Sequence, residues 1–203
     1  DYKKAGNGDT GPNTGGMGSA APSPEFKDEH FQDFVNNIMN PTVQGLKTEG
    51  LSFKGFIFFG LMVTEKGAYL LEYNMRLGDP ETQVLLPLLE NNLVDVIEDC
   101  LQGKELELKF KNQKAVCLVV CSGGYPQNYE TGYEIKGAEK VKNSTLLYAG
   151  ADYRGGKVVS TGGRVLNLVA LGDTFEEARK KVYEDANIVD FDYGFFRDDI
   201  AKF

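Results

Sequence analysis

The spacing of apolar residues changes along this chain, and each change predicts an element. Residues 1–25 hold Gly, Pro, Ser, Thr and Asn with few apolar positions and read as an extended loop. Phe31, Phe34, Val35, Ile38 and Met39 then recur at i, i+3, i+4, i+7 and i+8, one face of a helix. Asn40-Pro41 interrupts that face: either the helix kinks there, or Asn40 caps a second short helix with Pro41 in its first turn. The run 55–63 (GFIFFGLMV) is apolar and aromatic, as in a buried strand. Glu65-Lys66-Gly67 makes a turn, and AYLLEYNM (68–75) returns as the second strand of a hairpin. Side chains alternate along a strand, so Glu72, Asn74 and Arg76 share one face. Tyr69, Leu71, Tyr73 and Met75 take the other, toward a core.

Asp79-Pro80-Glu81 has the form of a helix start, with Asp at the cap, Pro in the first turn and Glu placed favourably for the dipole. The helix behind it, through Leu85, Leu86, Leu88 and Leu89, has to bend at Pro87. Leu93 to Leu101 continues helical and Gly103 stops it. Beyond that the period changes. Residues 104–112 (KELELKFKN) alternate, AVCLVVC (115–121) reads as a buried strand, and GGYP (123–126) turns the chain. Strand-like runs follow at YEI, TLLYA, KVVS and RVLNLVAL, between Gly-rich turns. Thr174-Phe175-Glu176-Glu177 is a capping box that opens a helix to about Ala186. The pattern predicts an α+β protein divided near 103–112, with a mixed segment over 1–106 and a β-rich segment with one helix over 107–203.

Composition narrows the chemistry. The 203 residues carry 22 Lys+Arg against 30 Asp+Glu, a formal charge of -8, which argues against nucleic acid as a partner. No apolar run is long enough to span a membrane, and DYKKAGNGDT at the start has no signal-peptide core. His30 is the single histidine, so a His-rich metal site or a Ser-His-Asp triad is not expected, and it reads as a surface residue at a helix start. Cys100, Cys117 and Cys121 make no paired metal signature and fit a reducing, cytoplasmic compartment, with Cys117 and Cys121 as core residues. Asn143-Ser144-Thr145 matches the glycosylation pattern but reads as a turn. Acidic groups, amides, arginines and backbone are left to carry any reaction.

The strongest cluster of these is Glu72-x-Asn74-x-Arg76. A carboxylate and an amide oxygen about 7 Å apart along a strand can converge on one hard cation, and magnesium takes such ligands together with water and phosphates. An arginine two residues on can grip a phosphate or carboxylate. The same alternation also suits a solvated strand face with Glu72 and Arg76 paired across it. The opening loop, GNGDTGPNTGGMG, formally contains G-x-G-x-x-G, but no hydrophobic strand precedes it and Pro12 follows, so it is not a dinucleotide fingerprint. Asn13, Thr14, Gly15 and Gly16 remain as a backbone-rich stretch able to present N–H groups to an anion, or as a plain surface loop.

GPNTGGMG (11–18) and RLGDPETQ (76–83) resemble the signatures of the phosphoribosylamine–glycine ligase family of the ATP-grasp superfamily. GGYP, the TGY-x-I-x-G stretch at 131–137, GGRVL at 162–166 and the closing RDDI at 197–200 extend the resemblance over essentially the whole chain. It implies the rear half of an ATP-grasp domain, an antiparallel sheet with helices, followed by a small β-rich C-terminal domain. It implies ATP-dependent ligation of glycine to 5-phosphoribosylamine through a glycyl phosphate. Glu72 and Asn74 would hold magnesium (or manganese) on the nucleotide phosphates, and Arg76 would meet phosphate. Lys3 stands where the family has a basic residue. Asn13, Thr14, Gly15 and Gly16, with Asp79 and Glu81, would line the amino-acid and ribosylamine side. Two departures bear on this. Phe59-Gly60-Leu61-Met62 lacks the further acidic ligand that many ATP-grasp enzymes carry on the preceding strand, so one protein-bound metal is expected. Ala20 and Ala21 stand where relatives carry an aromatic residue. The family's leading domain and lid are not represented, so the resemblance implies a second half that works with a missing N-terminal half. Another ATP-grasp carboxylate–amine ligase, or a non-catalytic half that binds a partner chain, are the alternatives.

Overall fold

A computed structural model describes all 203 residues. In chain order the elements are β1 (Lys4–Gly6), β2 (Thr10–Asn13), β3 (Gly18–Ala21), α1 (Asp28–Phe34), α2 (Asn40–Thr48), β4 (Phe58–Thr64), β5 (Gly67–Asn74), α3 (Thr82–Leu85), α4 (Leu93–Gln102), β6 (Lys114–Cys121), β7 (Thr145–Tyr148), β8 (Ala151–Arg154), β9 (Lys157–Ser160), β10 (Arg164–Gly172) and α5 (Phe175–Ala186). They form two compact units, neither of them one continuous stretch. The first takes 1–21, 79–89 and 110–203, and the second takes 22–78 and 90–109. The spatial division therefore differs from the expected one at 106/107.

The reason lies in the first 21 residues. They are not an extended loop: β1 and β2 form a hairpin, and β3 joins the edge of β6. The sheet runs β3-β6-β10-β7, antiparallel throughout. GSAA in β3 has side chains small enough to lie against β6, but too little apolar alternation to announce a strand. Ala115 to Cys121 are at most 3% exposed, which explains their unbroken apolar run. α5 packs on β6 and β10, while α3 packs on β3 and β6. Thr174 Oγ1 caps α5 by accepting from Glu177 N–H (3.2 Å), and the Glu177 carboxylate accepts from Asp173 N–H (2.9 Å). YEI makes one isolated bridge, Glu134 to Val159, rather than a strand, and β8 pairs with β9 in a separate hairpin.

Two buried ionic groups fasten this unit. Asp185, fully buried on α5, accepts from the N–H groups of Lys142, Asn143 and Ser144 and from the Ser144 hydroxyl. The Asn143-Ser144 turn is thus as expected, with an acid beneath it. Arg197, 2% exposed, forks onto Asp199 with two bonds of 2.7 Å and reaches Lys4 O and Asp9 Oδ1 at 2.9 Å.

Cys117 and Cys121 lie in the core as expected; burial pushes both thiols up, Cys121 to about 12. In the native protein at pH 8, a thiol reagent should therefore label Cys100 alone, with the other two appearing only on unfolding. Native labelling of three thiols would contradict this packing.

In the second unit, helical backbone runs unbroken from Asp28 to Thr48. The second expected form is met in part: a helical segment begins at Asn40 with Pro41 in its first turn, but the cap position is Met39, itself helical, and not Asn40. Val35–Met39 wind as a wider π turn, which absorbs the N–H that Pro41 lacks. His30 stands at the start of α1 as expected, with 21% of its side chain exposed, and its Nδ1 accepts from Lys27 N–H (3.1 Å). β4 and β5 form the expected hairpin, with Gly60 opposite Glu72. Phe34 stacks edge-on to Phe59, and Phe59 to Tyr73. The expected core face is not one: Tyr69, Leu71, Tyr73 and Met75 are 48–62% exposed. A two-stranded hairpin leaves faces open that a wider, covered sheet would bury. α4 ends at Gly103 as expected. Residues 104–108 then form neither helix nor strand, and the Asn91 side chain bonds Glu107 O and Lys109 N–H instead. No helix is long and apolar enough to cross a membrane.

Candidate functional site

At the end of β5 the alternation does bring Glu72, Asn74 and Arg76 together. Glu72 Oε1 accepts from Asn74 Nδ2 (3.1 Å), and Asn74 Oδ1 accepts from Arg76 Nη2 (3.2 Å). Arg76 Nη1 also donates to Leu77 O (3.1 Å). The arginine therefore meets the amide rather than the carboxylate, and the simple Glu72–Arg76 pair is not formed. Across the ladder, a Cβ on Gly60 would come within 2.9 Å of Glu72 Cγ. Glycine is what leaves the carboxylate room over the hairpin. The donor set, one carboxylate and one amide oxygen beside a guanidinium, fits a hard divalent cation that completes its shell with phosphate oxygens and water. No group of three or more His, Cys, Asp or Glu forms a metal cage elsewhere.

The remaining candidates belong to the first unit. The N–H groups of the Gly-rich loop are bonded to protein acceptors instead of being presented to an anion. Thr14 N–H donates to Lys3 O (2.7 Å), Gly15 N–H to Tyr125 Oη (2.9 Å), Gly16 N–H to Thr14 Oγ1 (2.9 Å) and Met17 N–H to Tyr2 O (2.8 Å). The anion-cradle expectation fails because every one of these donors is spent. Asn13, at the end of β2, is exposed. Gly16 has φ +124°, and a Cβ there would sit 2.4 Å from Pro80 Cδ, so the loop is pressed against Asp79-Pro80.

Lys3 Nζ lies 2.5 Å from Asp1 Oδ2 and 4.0 Å from Glu81 Oε1, which makes Lys3 and Glu81 neighbours. Asp79 does not cap a helix. Its Oδ2 takes Arg164 Nη2 (2.9 Å) and its Oδ1 takes Gln83 Nε2 (2.7 Å), while α3 is a single turn starting at Thr82. The chain then turns before Pro87 instead of bending a long helix through it. Gln83 Oε1 is a buried side-chain oxygen left without a partner. Arg164 and Tyr125 escaped the sequence reading as site residues. Their signal was present in the GGRVL and GGYP motifs, but nothing local says that these motifs meet residues 15 and 79.

Residues 1–82 match the family described as phosphoribosylglycinamide synthetase, ATP-grasp (A) domain, and residues 115–203 match phosphoribosylglycinamide synthetase, C domain. The phosphoribosylamine–glycine ligase of Caldanaerobacter subterraneus subsp. tengcongensis is 45% identical over 203 residues, 99% of this chain and 49% of that protein. The enzyme of the same name from Halalkalibacterium halodurans is 45% identical over 203 residues, 100% of this chain and 47% of that one. The crystal structure of phosphoribosylamine–glycine ligase from Thermotoga maritima matches with a TM-score of 0.89 at 38% identity, covering 98% of this chain and 50% of its own. The chain spans about half the length of the curated relatives it matches.

Proposed function

Because this chain belongs to the phosphoribosylglycinamide synthetase family, we propose that it is the rear half of a cytoplasmic, ATP-dependent carbon–nitrogen ligase of purine biosynthesis. The observation that carries the reading is the order of the two family matches along one chain, with the Glu72-Asn74-Arg76 row at the end of β5. In the reaction, the glycine carboxylate takes the γ-phosphoryl group of ATP and leaves ADP. The amine of 5-phosphoribosylamine then attacks the glycyl carbonyl carbon, and phosphate departs with the carbonyl–oxygen bond. The products are glycinamide ribonucleotide, ADP and phosphate.

The residues supply positioning and charge, which dominate phosphoryl transfer. Glu72 and Asn74 would hold the divalent cation, magnesium or manganese, which when bound neutralises phosphate charge. Arg76, already turned toward Asn74, meets phosphoryl oxygens as a second positive group. Asn13, Thr14, Gly15 and Gly16 present a braced loop on the glycine and ribosylamine side. Lys3 and Glu81, close to each other, place a cation and an anion near that loop. Asp79, with both oxygens engaged, acts through the loop. The front half of the relatives, which this chain does not span, would supply the remaining contacts to ATP.

The test joins this chain to a front half of the family and follows ADP release. Release that requires both glycine and phosphoribosylamine is expected, with none from the 203 residues alone. Faster turnover with another amino acid would establish a different ATP-grasp ligase instead.

A further inference from the structure

We infer that Arg164 and Tyr125 are positioning residues that hold the Gly15 peptide from both ends for the glycine and ribosylamine side of the reaction. The inference rests on the ligase reading and extends it to two residues far along the chain from the loop they hold.

Gly15 differs from its neighbours. The N–H groups of Thr14, Gly16 and Met17 all bond within the first 21 residues, whereas that of Gly15 donates to Tyr125 Oη at 2.9 Å. Its carbonyl accepts from Arg164 Nη1 at 3.0 Å. The same Nη1 donates to Asp79 O (2.9 Å), and Nη2 donates to Asp79 Oδ2 (2.9 Å). One planar guanidinium therefore ties the loop to the Asp79-Pro80 segment, with the relative position of the two set by the fixed angle of its fork. The Arg164 side chain is 22% exposed, shielded enough for these bonds to have weight.

The second anchor of that segment is buried: Ser19 Oγ donates to Pro80 O at 2.7 Å. Gly16 in turn packs on Pro80 so tightly that a single Cβ would collide. Asp79, clamped by Arg164, orients the Gln83 amide through its other oxygen. A loop held at Gly15 by side chains from β10 and the GGYP turn cannot adapt freely to a substrate. Small errors in placing reacting groups cost large factors in rate, so the brace belongs to the reaction's geometry and not to folding alone.

The experiment measures KM for ATP, glycine and phosphoribosylamine in R164Q, R164K and Y125F, each in the joined enzyme described above. R164Q should raise the KM for glycine and phosphoribosylamine by about 10- to 100-fold and leave the KM for ATP within about twofold. Y125F, which removes one hydroxyl, should raise the same two constants by about 3- to 10-fold. R164K should fall between R164Q and the parent, because lysine cannot reproduce the fork. If the two constants stay at the parental value, or if all three constants move together with melting temperature, the brace is structural only and the inference fails. If R164Q does not fold, Y125F decides. If the unsubstituted enzyme shows no glycine-dependent ADP release, the ligase reading is what has failed. The brace is then judged by amide hydrogen exchange at Gly15, which should quicken about tenfold or more in Y125F and would overturn the inference if unchanged.

Discussion

Replacing Glu72 with alanine, in an enzyme that carries this chain as its second half, should lower magnesium-dependent turnover by about a thousandfold or more. The two oxygens proposed for the cation come from Glu72 and Asn74, and no further acidic group on β4 stands by to replace the carboxylate: its ladder partner is Gly60. Losing Glu72 removes the only formal negative charge from the set and leaves a neutral amide beside an arginine, a poor environment for a divalent ion. The hairpin should survive, because Glu72 is exposed and its hydrogen bond to Asn74 lies on the surface. The measurement is ADP release against magnesium concentration, alongside a circular dichroism melt. Activity within about tenfold of the parent, at any magnesium concentration, would remove Glu72 from the ligand set.

The largest effect on stability is expected at Asp185. Asp185→Ala deprives three backbone N–H groups and the Ser144 hydroxyl of their acceptor beneath the turn at 142–144. Unmade bonds to buried or half-buried groups cost about 1–3 kcal/mol each when unrelieved; with some of them recovering water, the net loss should be about 3–5 kcal/mol. Chemical denaturation followed by tyrosine fluorescence reads it directly, and a loss under about 1 kcal/mol would show that the turn re-forms without its acid. Burial alone would raise this carboxyl, but the bonds from Ser144, Asn143 and Lys142 outweigh it and hold it below its ordinary value of 3.8. A depressed value in the folded state means that the contribution is complete above about pH 4. It is lost as pH falls through the folded value, because the unfolded chain takes up the proton first. Asp199, held down chiefly by its bonds from Arg197, adds to the same acid limb. Asp185→Asn should therefore be less stable at neutral pH and show a shallower decline below pH 4 than the parent.

How much of this was legible in the sequence depended on the range of the interaction that decides each feature. β6, β10 and α5 were readable because each carries its own signal: a continuous apolar run, or a capping threonine before an amphipathic turn. The β4–β5 hairpin was readable through its turn. The row Glu72, Asn74, Arg76 followed from the twofold period of a strand alone, with no tertiary information required. The motifs carried the family, and the comparisons bear that out.

The burial of individual faces was not readable. Tyr69, Leu71, Tyr73 and Met75 are apolar at alternate positions, yet whether such a face is covered depends on what is laid on it. Nor was Asp79's role readable, since its carboxylate had a local use as a cap and a distant one with Arg164, and the distant partner won.

By itself, the sequence determined the elements with strong local periodicity, the family, and the chemical kind of the candidate residues: one carboxylate, one amide, one guanidinium on a single strand face. Only the tertiary structure decided that β3 joins the sheet of the C-terminal segment and that the first 21 residues belong to its unit, that the loop's N–H groups are already bonded, and that Arg164 and Tyr125 hold Gly15. The physical reason is the same in each case. Strand pairing and guanidinium bonds satisfy backbone groups between residues far apart in the chain, and no local period encodes which distant partner will meet them.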